Sequence, residues 1–352
     1  MIPPINQTKI HSYNFKHYNH NPQSFKGGCG VYSLGFMEKA AHKIELCGRK
    51  CANKIADVFD KSQDSELYTE FLAVDKKSPR YIDILRTISR QYLGKKDLEV
   101  NFENDRIRNI ASHNSPHIFI MNHDSQSKDP QMLAAFNALL NDEYADLGLN
   151  AICPRPKIIL NEDILLSMNE RRRNIFEKMG AVGIDANLKN ANSSANSKAF
   201  LSLIKDFMKG QANIFIFPEG KNSIYKKRPL DEKFQLGVAE LVTKLTKRLS
   251  EVRVVPLGFA YGNKSQVDSI HIGEIVTFKK DGENIISSIG NITSKFADKS
   301  YKNFFQNKSE AILTEQGVPV IGKEQERYVG GILCENLRIC KEEAKNAITN
   351  VT

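Results

Sequence analysis

The sequence predicts an α/β fold, a mixed, mostly parallel sheet flanked by helices, with an N-terminal helical region. Two observations carry this expectation. Short β-rich runs recur from Leu98 onward, at 117–121, 157–160, 181–184, 213–217, 252–259 and 269–275. Helical patterns lie between several of them, at Pro130 to Leu140, Ser197 to Lys209 and Lys233 to Leu249. Strands that alternate with helices form parallel sheets covered on both faces.

Each element has a local reason. Residues 1–31 are polar and rich in Asn, His, Pro and Gly, the composition of a mobile arm. From Tyr32 to Phe59, Met37, Ala41, Ile44, Cys47, Cys51, Ile55 and Phe59 recur every three or four positions, an amphipathic helix. Ser78-Pro79 opens a second helix with Tyr81, Leu85, Ile88 and Tyr92 on one stripe and Gly94 as its stop. These make a helical region over 32–96. Leu98 to Phe102 alternates apolar and polar and opens the α/β domain, over 97–280. The tail, 281–352, reads as a C-terminal helical extension with a helix from Glu324 to Ala347.

The composition, 41% hydrophobic and 26% charged, is that of a globular protein. No apolar run is long enough to cross a bilayer, and the N-terminus lacks a secretory pattern. The expectation is a cytoplasmic protein with no transmembrane helix, able to sit peripherally on an inner membrane face. A net charge of +9 favours acidic partners, including an anionic membrane surface. Arg171-Arg172-Arg173 and Lys226-Lys227-Arg228 are basic clusters that read first as solvated surface charge, with docking on anionic lipid or an acidic acyl carrier protein as the alternative. Six scattered cysteines form no CxxC pair and no zinc set, so no metal is expected. No zinc finger, RRM or basic zipper is present, which argues against nucleic acid.

The sharpest chemical signal is Met121-Asn122-His123-Asp124-Ser125-Gln126-Ser127-Lys128-Asp129-Pro130, directly after one β-run and before a helix. The ends of parallel strands are where α/β sheets present reactive side chains. A carboxylate there can accept from one imidazole nitrogen and fix the tautomer, leaving the other nitrogen to take a proton. Ser127 is a candidate cap for the helix opening at Lys128. Taken alone, the pattern also fits a loop histidine beside a helix-capping aspartate. A second signal, Phe217-Pro218-Glu219-Gly220, ends another β-run and predicts an exposed Glu219 on a tight turn. Taken alone, it is also an ordinary strand-to-loop turn.

Together these motifs resemble the glycerophospholipid acyltransferase family, of which the lysophosphatidic acid acyltransferases are one type. The first family block, Asn-His-x-Ser followed by Asp-Pro, is matched by Asn122-His123-Asp124-Ser125 and Asp129-Pro130. The third, Phe-Pro-Glu-Gly, is matched by Phe217 to Gly220. Val254-Val255-Pro256-Leu257-Gly258 fits the fourth, and Ile272-Gly273-Glu274-Ile275 looks like an Ile-Gly-Glu-Pro stretch. The resemblance spans Leu98 to Ile275.

The resemblance implies an acyltransferase domain over 97–280 that moves a fatty acyl group from acyl-CoA or acyl carrier protein to a hydroxyl. The acceptor class would be a lysophospholipid or glycerol phosphate. His123 would be the general base and Asp129 its orienting partner, with Asn122, Ser125, Phe217, Pro218, Glu219, Gly220 and Lys221 binding substrate. Glu219 would position the acceptor. No cofactor beyond the acyl thioester co-substrate is implied.

Four departures stand out. Five residues, not the family's four, separate His123 from Asp129, and Lys128 occupies the usual acid position. Ala186 stands where the second block, here Gly180 to Ala186, has an arginine expected to bind phosphate. Lys221-Asn222-Ser223 replaces a common Thr-Arg-Ser; Lys189, Lys226, Lys227 and Arg228 are other phosphate candidates. Phe234-Gln235-Leu236-Gly237 lacks the lysine of Phe-Lys-x-Gly, with Lys233 adjacent. Two alternatives follow: a catalytically impaired lipid-binding protein on this fold, or a serine hydrolase using Ser125, which lacks a Gly-x-Ser-x-Gly elbow.

Overall fold

The computed structural model describes residues 65–75, 104–113, 115–124, 128–149, 154–184, 193–219, 236–262, 268–289, 292–295 and 324–349, with positions 78, 80, 81, 83, 84, 87, 230 and 234. The arm over 1–31, the helix Tyr32 to Phe59 and the strand Leu98 to Phe102 lie outside the described residues.

The elements run α1 (Ser65–Ala73), α2 (Asn104–Ser112), β1 (Ile118–Met121), α3 (Asp129–Asp146), β2 (Arg155–Asn161), α4 (Glu162–Ser167), α5 (Glu170–Met179) and β3 (Ala181–Ile184). There follow α6 (Ser193–Met208), β4 (Ala212–Ile216), α7 (Leu236–Arg248), β5 (Glu251–Ala260), β6 (Ser269–Ile272), β7 (Val276–Asp281), β8 (Asn284–Ile289), β9 (Ile292–Lys295) and α8 (Glu324–Thr349). The sheet order is β3-β2-β4-β1-β5-β7-β8-β9, with β6 also pairing β5. The first five of these are parallel, and β6 to β9 add antiparallel. This is the mixed, mostly parallel sheet the sequence predicts.

The central strands are buried on both faces, which is why β1 reads Ile-Phe-Ile-Met without a polar residue. Side chains still alternate. Phe119, Met121, Phe215, Val255 and Leu257 pack with Met132, Phe136 and Leu140 of α3, Ile107 and Ile110 of α2 and Ile175 of α5. Ile118, Ile120, Ile214, Ile216, Val252 and Val254 pack on the other face with Leu203 and Phe207 of α6, Leu241 and Leu245 of α7 and Ile332, Leu333 and Leu337 of α8. The result is three layers, helix on sheet on helix.

Residues before the α/β core join it. Phe71 of α1 stacks on Tyr81, with ring centroids 5.4 Å apart, and both belong to the α3 side of the core. Lys178 of α5 donates to the carbonyls of Leu72 and Val74, satisfying the C-terminal end of α1.

β5 is the strand on which the fold turns. Its partner on one edge is β7 up to Val254 and β6 from Leu257 onward. Pro256 falls at the hand-over, where its carbonyl accepts from Gly273 and its missing N–H leaves no ladder bond broken. Gly258 then lets α8 approach: a Cβ there would lie 1.9 Å from the Cys340 carbonyl oxygen. Gly180, at φ +103°, makes the turn from α5 into β3 against Pro156.

The sheet extends beyond the last β-run expected from sequence, through β7, β8 and β9. β7 is Val-Thr-Phe-Lys-Lys-Asp, half of it exposed, which hides its pattern. The charged helices α4 and α5 were also not legible as periodic runs. The final helix runs to Thr349, close to the expected Ala347. Among the described residues, no helix is long and apolar enough to cross a membrane.

Candidate active site

Three neighbouring parallel strands end at one edge of the sheet. Ile120 of β1 is in register with Ile216 of β4, and Met121 with Leu257 of β5. The segments leaving these strands therefore meet: Asn122 to Asp124 after β1, Phe217 to Glu219 after β4, and Tyr261 and Gly262 after β5. The helix α3 returns its first turn to the same place.

Asn122 is fully buried and behaves as a backbone surrogate. Its amide oxygen accepts from Phe259 N at 2.6 Å, and its amide nitrogen donates to Phe259 O and to Asp124, each at 3.0 Å. Both of its donor hydrogens are engaged within the fold, where they hold the loop to β5.

His123 comes next. Its Nδ1 lies 2.5 Å from Asp129 Oδ2. The ring is 17% exposed while the Asp129 side chain is 1% exposed, so the pair has one open end. The Phe217 ring lies 4.9 Å from the imidazole, centroid to centroid, and limits its tilt. The His123 backbone N–H donates to Glu219 Oε1 at 2.8 Å.

That bond corrects the expectation of an exposed Glu219. The residue is 4% exposed, and one carboxylate oxygen is committed to the His123 backbone. A charged residue between Pro218 and a glycine reads as a surface turn because the sequence cannot display the N–H that it meets across the strand gap.

Asp129 reaches the ring despite the extra loop residue. Lys128 caps α3 in helical conformation without a side-chain cap bond, and Pro130 sits in the first turn. Lys128 turns away and pairs with Asp268 at 3.1 Å, while Asp129, one position on, turns inward. A carboxylate in a first helical turn is also favoured by the helix dipole. Ser127, the expected cap, lies outside the described residues.

The second oxygen of Asp129 accepts from the Tyr261 hydroxyl. Burial pushes the Tyr261 phenol well above its usual range, and the adjacent Asp129, Asp124 and Asp268 push it further. It is therefore a constant donor at any physiological pH. Lys128 Nζ stands 5.1 Å from the Tyr261 ring centroid, and Asp268 also accepts from Gly262 N at 2.9 Å. Asp124 is held elsewhere: Lys341 of α8 donates to it at 2.8 Å.

Ser125, Gly220, Lys221, Ala186, Lys189, Lys226, Lys227 and Arg228 lie outside the described residues. Tyr261, Asp268 and Lys341 went unrecognised in the sequence. Tyr261 follows directly on β5, one residue past the apolar run 252–259 and Ala260, and a polar aromatic at that strand end is the available signal. Lys341 carried none.

Such a site, a histidine oriented by a buried carboxylate at the carboxyl edge of a parallel sheet, suits removal of a proton from a substrate hydroxyl. Residues 99–260 match the protein-family model described as Acyltransferase, so this segment is similar to the acyltransferase domain of glycerophospholipid acyltransferases. No curated protein matches the chain. Tyr261, β6 to β9 and α8 lie beyond the matched segment.

Proposed function

We propose that the protein transfers a fatty acyl group from acyl-CoA or acyl carrier protein to the hydroxyl of a lysophospholipid or glycerol phosphate. The observation that carries this reading is the His123–Asp129 hydrogen bond at the carboxyl edge of β1.

In the proposed reaction Asp129 accepts from Nδ1 and holds the tautomer. Nε2 removes the proton from the acceptor hydroxyl as its oxygen attacks the thioester carbonyl. Collapse of the tetrahedral intermediate breaks the C–S bond, and the imidazolium returns its proton to the departing thiolate. The acceptor is activated directly, so neither a covalent acyl-enzyme nor a metal or organic cofactor is required by this chemistry. Backbone N–H groups of the first turn of α3 or near Gly220 would stabilise the oxyanion; Pro130 itself has none to give. Glu219 supports the site by holding the His123 backbone.

With Ala186 in place of an arginine, acceptor phosphate would be met by Lys221, Lys189, Lys226 or Lys227 as point charges, or by the Arg228 guanidinium. The net charge of +9 is consistent with peripheral contact with an anionic membrane surface. An impaired lipid carrier would follow from a slipped His–Asp pair, and the two groups are in hydrogen-bond contact. A Ser125 hydrolase would accumulate acyl-enzyme.

The test is thiol release by purified protein from long-chain acyl-CoA and acyl carrier protein, against lysophospholipids and glycerol 3-phosphate. Release dependent on an acceptor, with an acylated product, is expected. Thioester hydrolysis indifferent to acceptor, or a trapped acyl-Ser125, would contradict the proposal.

A further inference from the structure

We propose that Tyr261 is a positioning residue for His123: its hydroxyl shares the Asp129 carboxylate with the imidazole and so sets the orientation and strength of the His123–Asp129 hydrogen bond. This rests on the reading of His123 as general base, and adds a residue outside the matched domain.

The geometry is that of a chain. Asp129 offers one oxygen to His123 Nδ1 and the other to Tyr261. Its side chain is almost wholly buried, so water does not take Tyr261's place. A carboxylate that serves two donors divides its charge between them; removal of one strengthens its pull on the other. The Tyr261 ring is in turn fixed. Lys128 stands against it, Asp268 ties Lys128 to the Gly262 N–H, and Gly262 is the next residue. Charged groups around the phenol are Asp129 from α3, Lys128 from the N-cap of α3, Asp124 from the loop after β1 and Asp268 from the position before β6. This brace also explains how the extra loop residue is absorbed. Lys128 is drawn outward to Asp268, and Asp129 is held inward from both sides.

Two variants separate hydrogen bonding from packing. Tyr261→Phe keeps the ring and removes the donor. Fluorotyrosine at Tyr261, introduced by suppression, keeps the donor and strengthens it. In the substrate-free protein labelled with ¹⁵N-histidine, the His123 Nδ1 proton resonance should move downfield in Tyr261→Phe and upfield in the fluorotyrosine protein. The acid limb of kcat against pH should move up in the first and down in the second. Tyr261→Phe should lower kcat by about 10- to 100-fold through loss of alignment, with KM within about twofold.

Shifts in the same direction, or no shift in either protein, would overturn the proposal. Should Tyr261→Phe fail to fold, the fluorotyrosine protein alone decides, since an unmoved resonance refutes it. The resonance is read without turnover. A His123→Ala protein that keeps full activity would therefore sink the general-base reading, while the resonance would still report whether Tyr261 controls the pair.

Discussion

Lys341, in the last helix, donates to Asp124, the residue after His123, across 217 positions of sequence. The lysine side chain is 16% exposed and the aspartate 29%, so the pair is partly shielded. Asp124 also accepts from Asn122, so the loop carrying His123 is held on both flanks, by β5 through Asn122 and by α8 through Lys341. The helix that does this lies outside the segment matched by the acyltransferase model.

Loss of that tie should loosen the loop more than the fold. Lys341→Met is expected to lower kcat about tenfold while the melting temperature falls by only a few degrees, because Asp124 keeps its Asn122 hydrogen bond and some access to water. Steady-state kinetics beside a thermal melt check this. Unchanged kcat would show that α8 does not steady the site.

The two aspartates of the loop should differ sharply. Asp129→Asn presents an amide to Nδ1 and favours the wrong tautomer, and the expected loss in kcat is about 100- to 10,000-fold with little change in KM. Asp124→Asn keeps an acceptor toward Lys341 and should cost only several-fold. The reverse ranking would mean that Asp124, not Asp129, orients the ring.

His117, just before β1, sets a pH limit on stability. Burial chiefly, with His113 and Arg253 nearby, lowers its pKa to about 3, against an opposing contribution from the Ser115 backbone. The unfolded chain therefore binds a proton at His117 below about pH 6.5 that the folded protein does not. Stability from this group is complete above about pH 6.5 and declines as pH falls toward 3. Relative to pH 7, the loss at pH 5 is about 2 kcal/mol. Urea melts at both pH values should show wild type losing that much more than His117→Phe. Equal losses would place the acid sensitivity elsewhere.

The parts legible in the sequence were those where one strand and the turn after it carry their own chemistry. β1 with its His123 loop and β4 with Phe217 to Glu219 announce themselves as apolar runs that stop at a charged residue. Asp129 was legible through Asp-Pro opening a helix. What escaped was decided by contacts between distant segments. Glu219 looked exposed because its partner, the His123 N–H, belongs to another strand. Tyr261 and Lys341 look like any tyrosine or lysine until β5 and α8 are laid beside the loop. β7 and β8 are hard to read because only some of their alternate positions are buried.

The central claim is that His123 is the general base. The ring packs on Phe217 and bonds to Asp129 without belonging to the core, so His123→Ala should fold with a melting temperature a few degrees below wild type and lose about 100- to 10,000-fold in kcat for acyl transfer. Purified His123→Ala protein that folds and turns over acyl thioester and acceptor at the wild-type rate would contradict it.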